Sequence, residues 1–540
     1  MSAPAERVRR GFGREARIAW LALLLGLVLV AALDLALAPH RYAYSGDSAS
    51  YIEMARSLRS EGRALVTPWG LTPGDRDAVP QPLFPPGFAV LVAALTPLAG
   101  VERSAALWPS RIAAALLPVL LVLLWRGTAA PPTLLLVGLW VLASPGVRAW
   151  QYLAYSDVTA LALAIAALGV LARGLAGPGR LAPAGWVVAG LLAGACYTVR
   201  NAGLAVLAAT FATLGYAWLR GYAGARPIAL AGLGALVPLG ALAAYDRAMF
   251  GTLWPYTMPP SARPWTLNVG DLAEAQLDDA ALPWRLAERL GPTACLLALG
   301  AAFALGALAW WRTRAERATH LRLTLLGAYA VGGAVLLVLS RSRFEWGNLI
   351  DERNTLQYSF ALVLAALLAA GVLLPARARR LGACVLVACL AARGLVALRE
   401  TVLATRAAPD LWLELDRDAR VMGAARALPA NVLVASNAGV LFRIGAPRAV
   451  RQLDVGGDDA DFAGSLRLLA DAAAPRPAAF LLVCNEWTWR FSACQGRMPE
   501  GAPRCAPLRA APPVAAVCEA GAGGPPAPAG SGTPTVPDPR

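Results

Sequence analysis

The chain has 540 residues, of which 57% are hydrophobic and only 15% charged, and its mean hydropathy is +0.53. Soluble chains carry about 25% charged residues, so this composition excludes a water-soluble enzyme, a disordered chain and a fibre. The net charge of +15 comes from 49 basic against 34 acidic residues, every basic one an arginine, and these arginines gather in short loops between apolar runs, which is membrane topology rather than a nucleic-acid surface.

The first apolar run, Ile18 to Ala38, follows Arg7, Arg9, Arg10, Arg14 and Arg17. About twenty residues cross a hydrocarbon core of ~30 Å. Pro39, directly after Ala36-Leu37-Ala38, would impede signal cleavage, so an uncleaved span with a cytoplasmic N-terminus is expected. A polar segment, 39–103, comes next. In it Asp47 or Ser48 can cap a helix. Tyr51, Met54, Ala55 and Leu58 fall on one face of that helix and Glu53, Arg56, Ser57 and Ser60 on another, the pattern of an amphipathic helix lying at the membrane surface. The stretch Gln81-Pro82-Leu83-Phe84-Pro85-Pro86-Gly87-Phe88 opens a second interfacial helix, and the run 87–96 is too short to span.

Further apolar runs lie near 104–125, 131–147, 157–172, 183–199, 203–219, 227–245, 291–311, 320–340, 355–374 and 381–397, giving about eleven spans. The short run 133–144 would have to continue through Pro145 with a kink. With 87–96 at the surface, Arg126, Arg173, Arg180, Arg220, Arg226, Arg312, Arg314, Arg317, Arg377, Arg379 and Arg380 all fall on the side of the basic N-terminus, as the positive-inside rule requires. The segments 39–103, 246–290, 341–354 and everything after Leu398 then face the exterior, or periplasm. A transmembrane domain over 1–398 is followed by a small exterior α/β domain over 399–519, with strands at Val432–Ala435 and Phe480–Val483. The Pro-, Gly- and Ala-rich tail 520–540 reads as disordered. Cys196, Cys295, Cys384 and Cys389 lie in apolar runs. Cys484, Cys494, Cys505 and Cys518 form an even exterior set, fit for two disulfides of unspecified pairing.

Chemistry is sought among the few polar residues. Asp47 has two readings, a plain helix cap or a general base at the membrane boundary. Asp157 is likewise a cap, or a carboxylate that orients an arginine. Arg200, Arg341, Arg343 and Arg353 lie at exterior helix ends, where a guanidinium fork suits a phosphate or snorkels to headgroups. Asp75-Arg76-Asp77 sits in a Pro/Gly-rich loop and reads as a solvated turn. Trp254, Tyr256 and Trp265 are ordinary interfacial aromatics. With no Walker loop or strand-borne GxGxxG, a nucleotide site is not expected.

Several of these features together resemble the GT-C glycosyltransferases. They are an Asp soon after the first span with Tyr51 four residues on, the Pro85-Pro86-Gly87-Phe88 segment, Tyr155-Ser156-Asp157 at the outer end of a later span, Thr198-Val199-Arg200-Asn201-Ala202-Gly203, Phe250-Gly251 after a span, and Arg353 before a late one. The likeness is greatest to the family-39-like group that includes protein O-mannosyltransferases and lipid A aminoarabinose transferases, and it covers roughly 17–375. It implies a bacterial inner-membrane enzyme that passes a sugar from a polyprenyl-phosphate donor to a glycan, lipid or protein acceptor on the exterior face. Asp47 would be the catalytic base, and Tyr51, Gln81, Asp157, Arg200, Arg343 and Arg353 would bind substrate. Asp47-Ser48-Ala49 departs from the metal-holding DxD pattern of oligosaccharyltransferases, and the Asp-Glu pair of protein O-mannosyltransferases is also missing, so neither metal nor other cofactor is expected. A transporter or flippase for a lipid-linked saccharide is the alternative, and a membrane scaffold a third reading. Transporters tend to carry internal repeats and mid-membrane charges, which the chain does not display, apart from Asp34 near the outer end of the first run.

Overall fold

The computed structural model describes residue 28 and most of 46–520, leaving out chiefly 69–77, 126–133, 178–180, 256–259, 281–285, 345–349, 391–395, 400–418, 446–448, 454–458, 485–493, 495–504 and 508–514. The expected first span, apart from Val28, and the tail beyond Ala520 lie outside the described residues, as do Asp34, Asp75, Asp77, Trp254 and Tyr256. The chain divides into two units, 1–66 with 80–414, and 67–79 with 415–540.

The first unit is a polytopic helical membrane domain. Its helices are α1 (Gly46–Glu61), α2 (Gly87–Ala99), α3 (Trp108–Trp125), α4 (Pro145–Trp150), α5 (Asp157–Leu175), α6 (Pro183–Val199), α7 (Leu204–Leu219), α8 (Arg226–Phe250), α9 (Trp265–Ala280), α10 (Leu286–Arg312), α11 (Arg317–Arg343) and α12 (Glu352–Leu373). Among the described residues seven helical stretches are long and apolar enough to cross a membrane, while α2 and α6 are shorter apolar helices. The one most enclosed is α5, with 83% of its apolar window buried. An apolar helix covered on all sides is a bundle's axis, and α5 carries the first residue of its chain segment, Asp157, to one end of that axis.

Two expectations are corrected. The surface-lying helix is not amphipathic in practice, because Ser48, Ser50, Glu53 and Ser57 of α1 are buried along with Tyr51, Met54 and Ala55, and exposure begins only in the last turn at Arg59. Small serines let neighbours close over the polar face. The run 133–144 does not continue through Pro145 either. Ser144 is extended, its hydroxyl accepts from the Val147 amide at 3.4 Å, and Pro145 opens the separate six-residue α4. Proline at a first helical position behind a serine cap is a start signal, not a kink.

The second unit contains a five-stranded sheet. Its strands are β1 (Leu433–Ser436), β2 (Arg451–Gln452), β3 (Ala478–Val483), β4 (Cys505–Pro507) and β5 (Ala515–Ala520), in the order β2-β1-β3-β5-β4. β1 runs parallel to β2 and β3, and β5 is antiparallel to β3 and β4. Helices α13 (Ala419–Ala427), α14 (Gly439–Gly445) and α15 (Asp459–Ala473) accompany it, and Phe462 of α15 packs edge-on against Phe480 of β3 with centroids 5.4 Å apart. The β1 and β3 positions overlap the two strands expected from sequence. Cys484 is bonded to Cys494, and strand register sets Cys505 opposite Cys518.

Candidate active site

Three helix starts and one helix end meet at one end of the first unit. Asp47 lies in the first turn of α1 and Asp157 in the first turn of α5. Carboxylates are favoured there because the unpaired amides of a first turn present positive charge. Arg200 is the extended residue that ends α6, and Arg353 is the second residue of α12. Asp351 caps that helix by accepting from the Asn354 amide at 3.2 Å, which fixes where Arg353 emerges. A cation in a first turn is at the disfavoured end of the helix, so Arg353 must be held by other groups.

Those groups are the two carboxylates. Nε of Arg353 donates to both Asp157 oxygens, at 3.3 and 3.2 Å, and its Nη2 donates to Oδ2 of Asp47. Arg200 reaches Asp157 from another side, with Nη2 2.8 Å from Oδ1. Asp157 is fully buried, whereas the Arg353, Arg200 and Asp47 side chains keep 17%, 17% and 26% exposure, so the cluster is closed behind and open in front. Removing one partner from such a buried pair costs about 3–5 kcal/mol, since it leaves an uncompensated charge. The flat face of the Arg353 guanidinium is also covered, its carbon lying 4.2 Å from the Tyr155 ring centroid and 5.2 Å from that of Trp150.

Tyr51 stands one turn after Asp47, between the rings of Phe84 and Phe88 at 5.3 and 4.7 Å. Its hydroxyl is 2.9 Å from Oγ of Ser156, which also accepts from Arg200 Nη1 at 3.4 Å. Burial, with the Asp47 charge adding to it, pushes the Tyr51 phenol well above its ordinary range. Tyr51 is therefore a neutral hydrogen-bonding group and no base. Two glycines permit the close approach of these segments. A Cβ on Gly87 would stand 2.5 Å from the Thr198 carbonyl oxygen, and one on Gly203 2.4 Å from the Cys196 carbonyl carbon. Side chains there would push α2, or the turn after Arg200, away from the cluster.

Asp47, Tyr51, Asp157, Arg200 and Arg353 are thus brought together, and Gln81 and Arg343 are not. The buried Gln81 accepts from the Leu83 amide at 3.0 Å and shapes the turn before α2. Arg343 lies over Phe344 at 5.6 Å, and its carbonyl accepts from the Ser261 amide at 3.0 Å. Its neighbour Arg341 gives Nη1 to the Ser261 hydroxyl at 3.1 Å. The two hold the segment before α9, which Arg263 stabilises further through Asp271 at 2.7 Å and Asn268 at 3.1 Å. Trp150 escapes the sequence reading because its place depends on the separate α4 helix; a tryptophan just before Tyr155-Ser156-Asp157 was the available signal. Among the described residues no three His, Cys, Asp or Glu side chains gather as a metal site.

No family model matches the chain, and no curated protein matches it in sequence. Its fold is shared with solved structures. ArnT from Cupriavidus metallidurans bound to undecaprenyl phosphate superposes with a TM-score of 0.53 at 12% identity, over 93% of this chain and 98% of ArnT. The apo state of the same protein gives 0.56 at 14% identity over the same shares. The oligosaccharyltransferase AglB from Archaeoglobus fulgidus, in complex with an inhibitory peptide and a dolichol-phosphate, gives 0.52 at 12% identity, over 86% of this chain and 69% of AglB. ArnT, a lipid A aminoarabinose transferase, and AglB are both GT-C proteins, and the GT-C likeness read from the sequence holds at the level of fold.

Proposed function

We propose that the chain is an integral membrane glycosyltransferase that moves a sugar from a polyprenyl-phosphate donor to a glycan, lipid or protein acceptor on the exterior face. The observation that carries this reading is the single cluster in which Arg353 joins Asp47 to Asp157 while Arg200 flanks Asp157. It offers a partly exposed carboxylate beside two partly exposed guanidiniums at the end of an apolar bundle. A lipid phosphate needs such a place, its chain in the bilayer and its head against arginine forks. Two neighbours in fold hold undecaprenyl phosphate and dolichol-phosphate, which supports the same donor class here.

In the proposed reaction the acceptor hydroxyl oxygen attacks the anomeric carbon as Asp47 takes the hydroxyl proton. The bond from that carbon to the phosphate oxygen breaks, and the lipid phosphate leaves with the electron pair. One displacement inverts the anomeric configuration. Arg353 and Arg200 hold the leaving phosphate and stabilise the charge that grows on it. Asp157 orients both arginines, and Tyr51 and Ser156 brace the wall beside them. The site end of the helices is assigned to the exterior because Arg173, Arg220, Arg226, Arg312, Arg314, Arg317, Arg377 and Arg379 belong to the other ends. The N-terminus is then cytoplasmic and the α/β unit exterior, in a bacterial inner membrane.

The test compares lipid-linked sugars and surface glycans in a deletion strain and its parent, with complementation by wild type and by Asp47→Asn. A lipid-linked sugar should accumulate on deletion, clear with wild type and persist with Asp47→Asn inserted at normal levels. Unchanged lipids and glycans, or full rescue by Asp47→Asn, would overturn the reading.

A further inference from the structure

The charges in the cluster do not allow all its members to be satisfied at once when a phosphate is present. Among the described residues of the cluster, Asp157 and Asp47 supply two negative charges, and Arg200 and Arg353 two positive ones. Asp157 is fully buried and accepts from both guanidiniums. One positive charge is therefore left over for Asp47 or for an incoming phosphate, not for both. Arg353 is the group that carries it to Asp47 through Nη2.

That bond involves the proposed base itself. An Asp47 oxygen that accepts from a guanidinium is directed at Arg353 rather than at an incoming hydroxyl. Arg353 can release it without losing its own anchor, because Nε stays on Asp157 and the guanidinium face stays against Tyr155 and Trp150. A small in-plane pivot about Nε displaces the Nη groups farthest and Nε least. The donor's phosphodiester competes for this edge, since its two non-bridging oxygens share one negative charge and meet the parallel N–H groups of the fork as a carboxylate does.

Resting on the proposed function, we infer that Arg353 is a latch on Asp47 which the phosphate of the polyprenyl-linked donor opens. The base is freed only once the donor is seated, and the acceptor is activated second. The device couples donor binding to base release through one side chain and makes the order of substrates a property of the charge count.

Binding of undecaprenyl phosphate to the full-length protein in phosphatidylglycerol nanodiscs tests this, with undecaprenol as the control lacking phosphate and the bulk headgroup held constant. Asp47→Asn removes the competitor for Arg353 and should tighten binding about tenfold, a change of ~1.4 kcal/mol. In an Arg353→Gln background the same substitution should change binding by less than about twofold, because the coupling runs through that arginine. An equal gain in both backgrounds means simple repulsion between Asp47 and the phosphate. That result overturns the latch and leaves the donor reading standing. If wild type and Asp47→Asn both bind undecaprenyl phosphate no better than undecaprenol, the latch and the donor reading fall together. Should Arg353→Gln not fold, a cryo-EM structure of the wild type with undecaprenyl phosphate decides. The Arg353–Asp47 contact should be broken and Arg353 should lie on the phosphate, whereas an intact contact beside bound phosphate overturns the latch.

Discussion

The two ends of the helical unit use arginine in different ways. At the end that gathers Asp47 and Asp157, Arg200 and Arg353 bond to carboxylates, one of them fully buried. At the other end Arg314 lies over Trp310 and Trp311 at 5.4 and 5.9 Å, and Arg317 lies over Tyr222 at 5.6 Å while donating to that residue's backbone carbonyl. His320, buried there, has Nδ1 3.0 Å from the Trp310 carbonyl and Nε2 2.8 Å from the Tyr216 hydroxyl. Because a carbonyl can only accept, Nδ1 carries a proton, and in the neutral ring Tyr216 donates to Nε2. Both ring nitrogens of His320 thus have their partners within the protein, and cation–π contacts of this kind contribute about 0.5–1 kcal/mol each where solvent is near. The site end instead keeps charged edges partly open. Arginine at a helix end is thus a ring-packed staple at one end and an ion-paired, partly open group at the other, and the nearby carboxylate makes the difference.

The widest separation of the ends is expected from Asp47→Asn. Loss of a general base lowers transfer by about 10²–10⁴-fold, read as sugar transfer in purified membranes. Tyr216→Phe at the opposite end should leave transfer unchanged. Equal losses from the two substitutions would show that Asp47 acts through general stability and would remove the contrast.

Stability should divide the ends next. Asp157→Ala leaves two partly buried guanidiniums without their shared acceptor and should cost about 3–5 kcal/mol, seen as a lower midpoint of thermal unfolding in detergent. Tyr216→Phe removes one neutral hydrogen bond to His320 and should cost about 0.5–1.5 kcal/mol. Gly87→Ala falls between them at about 1–3 kcal/mol, the range for overpacking, because its new methyl would meet backbone at Thr198. It should also weaken transfer, since the helix it displaces carries Phe88 against Tyr51.

Much of this contrast is legible in the sequence, and the rest is not for identifiable reasons. In a chain so apolar, a carboxylate at a helix start stands out, and Asp47 and Asp157 can be picked without coordinates. Helix alternation then puts Arg200 and Arg353 at the same end. Alternation alone cannot separate Arg353 from Arg343, which also ends a helix at that side, because the choice depends on rotation about the helix axis and on which loop fills the space. Ser261 fills it for Arg341 and Arg343. Periodicity likewise misjudges α1, since a face of Glu53, Arg56, Ser57 and Ser60 looks solvated, whereas neighbours bury Glu53 and Ser57. The run ending at Ser144 misleads because hydropathy carries no record of the cap that divides it from Pro145.

The smallest expected effect concerns divalent metal. Oxygen-rich groupings hold such ions, usually with more than one carboxylate. Among the described residues, Asp47 meets its neighbouring carboxylate Asp157 across Arg353, and the guanidinium stands between the two. A dication placed there would face Arg353 and Arg200 together. In the proposed reaction the two arginines instead supply the positive charge that a leaving phosphate requires. Transfer measured in excess EDTA should therefore stay within about twofold of the untreated rate, the scale of ordinary ionic-strength effects on exposed charges. A larger loss, restored by magnesium or manganese, would mean that the acidic groups at this end serve a cation after all, and the assignment of phosphate binding to Arg200 and Arg353 would have to be withdrawn.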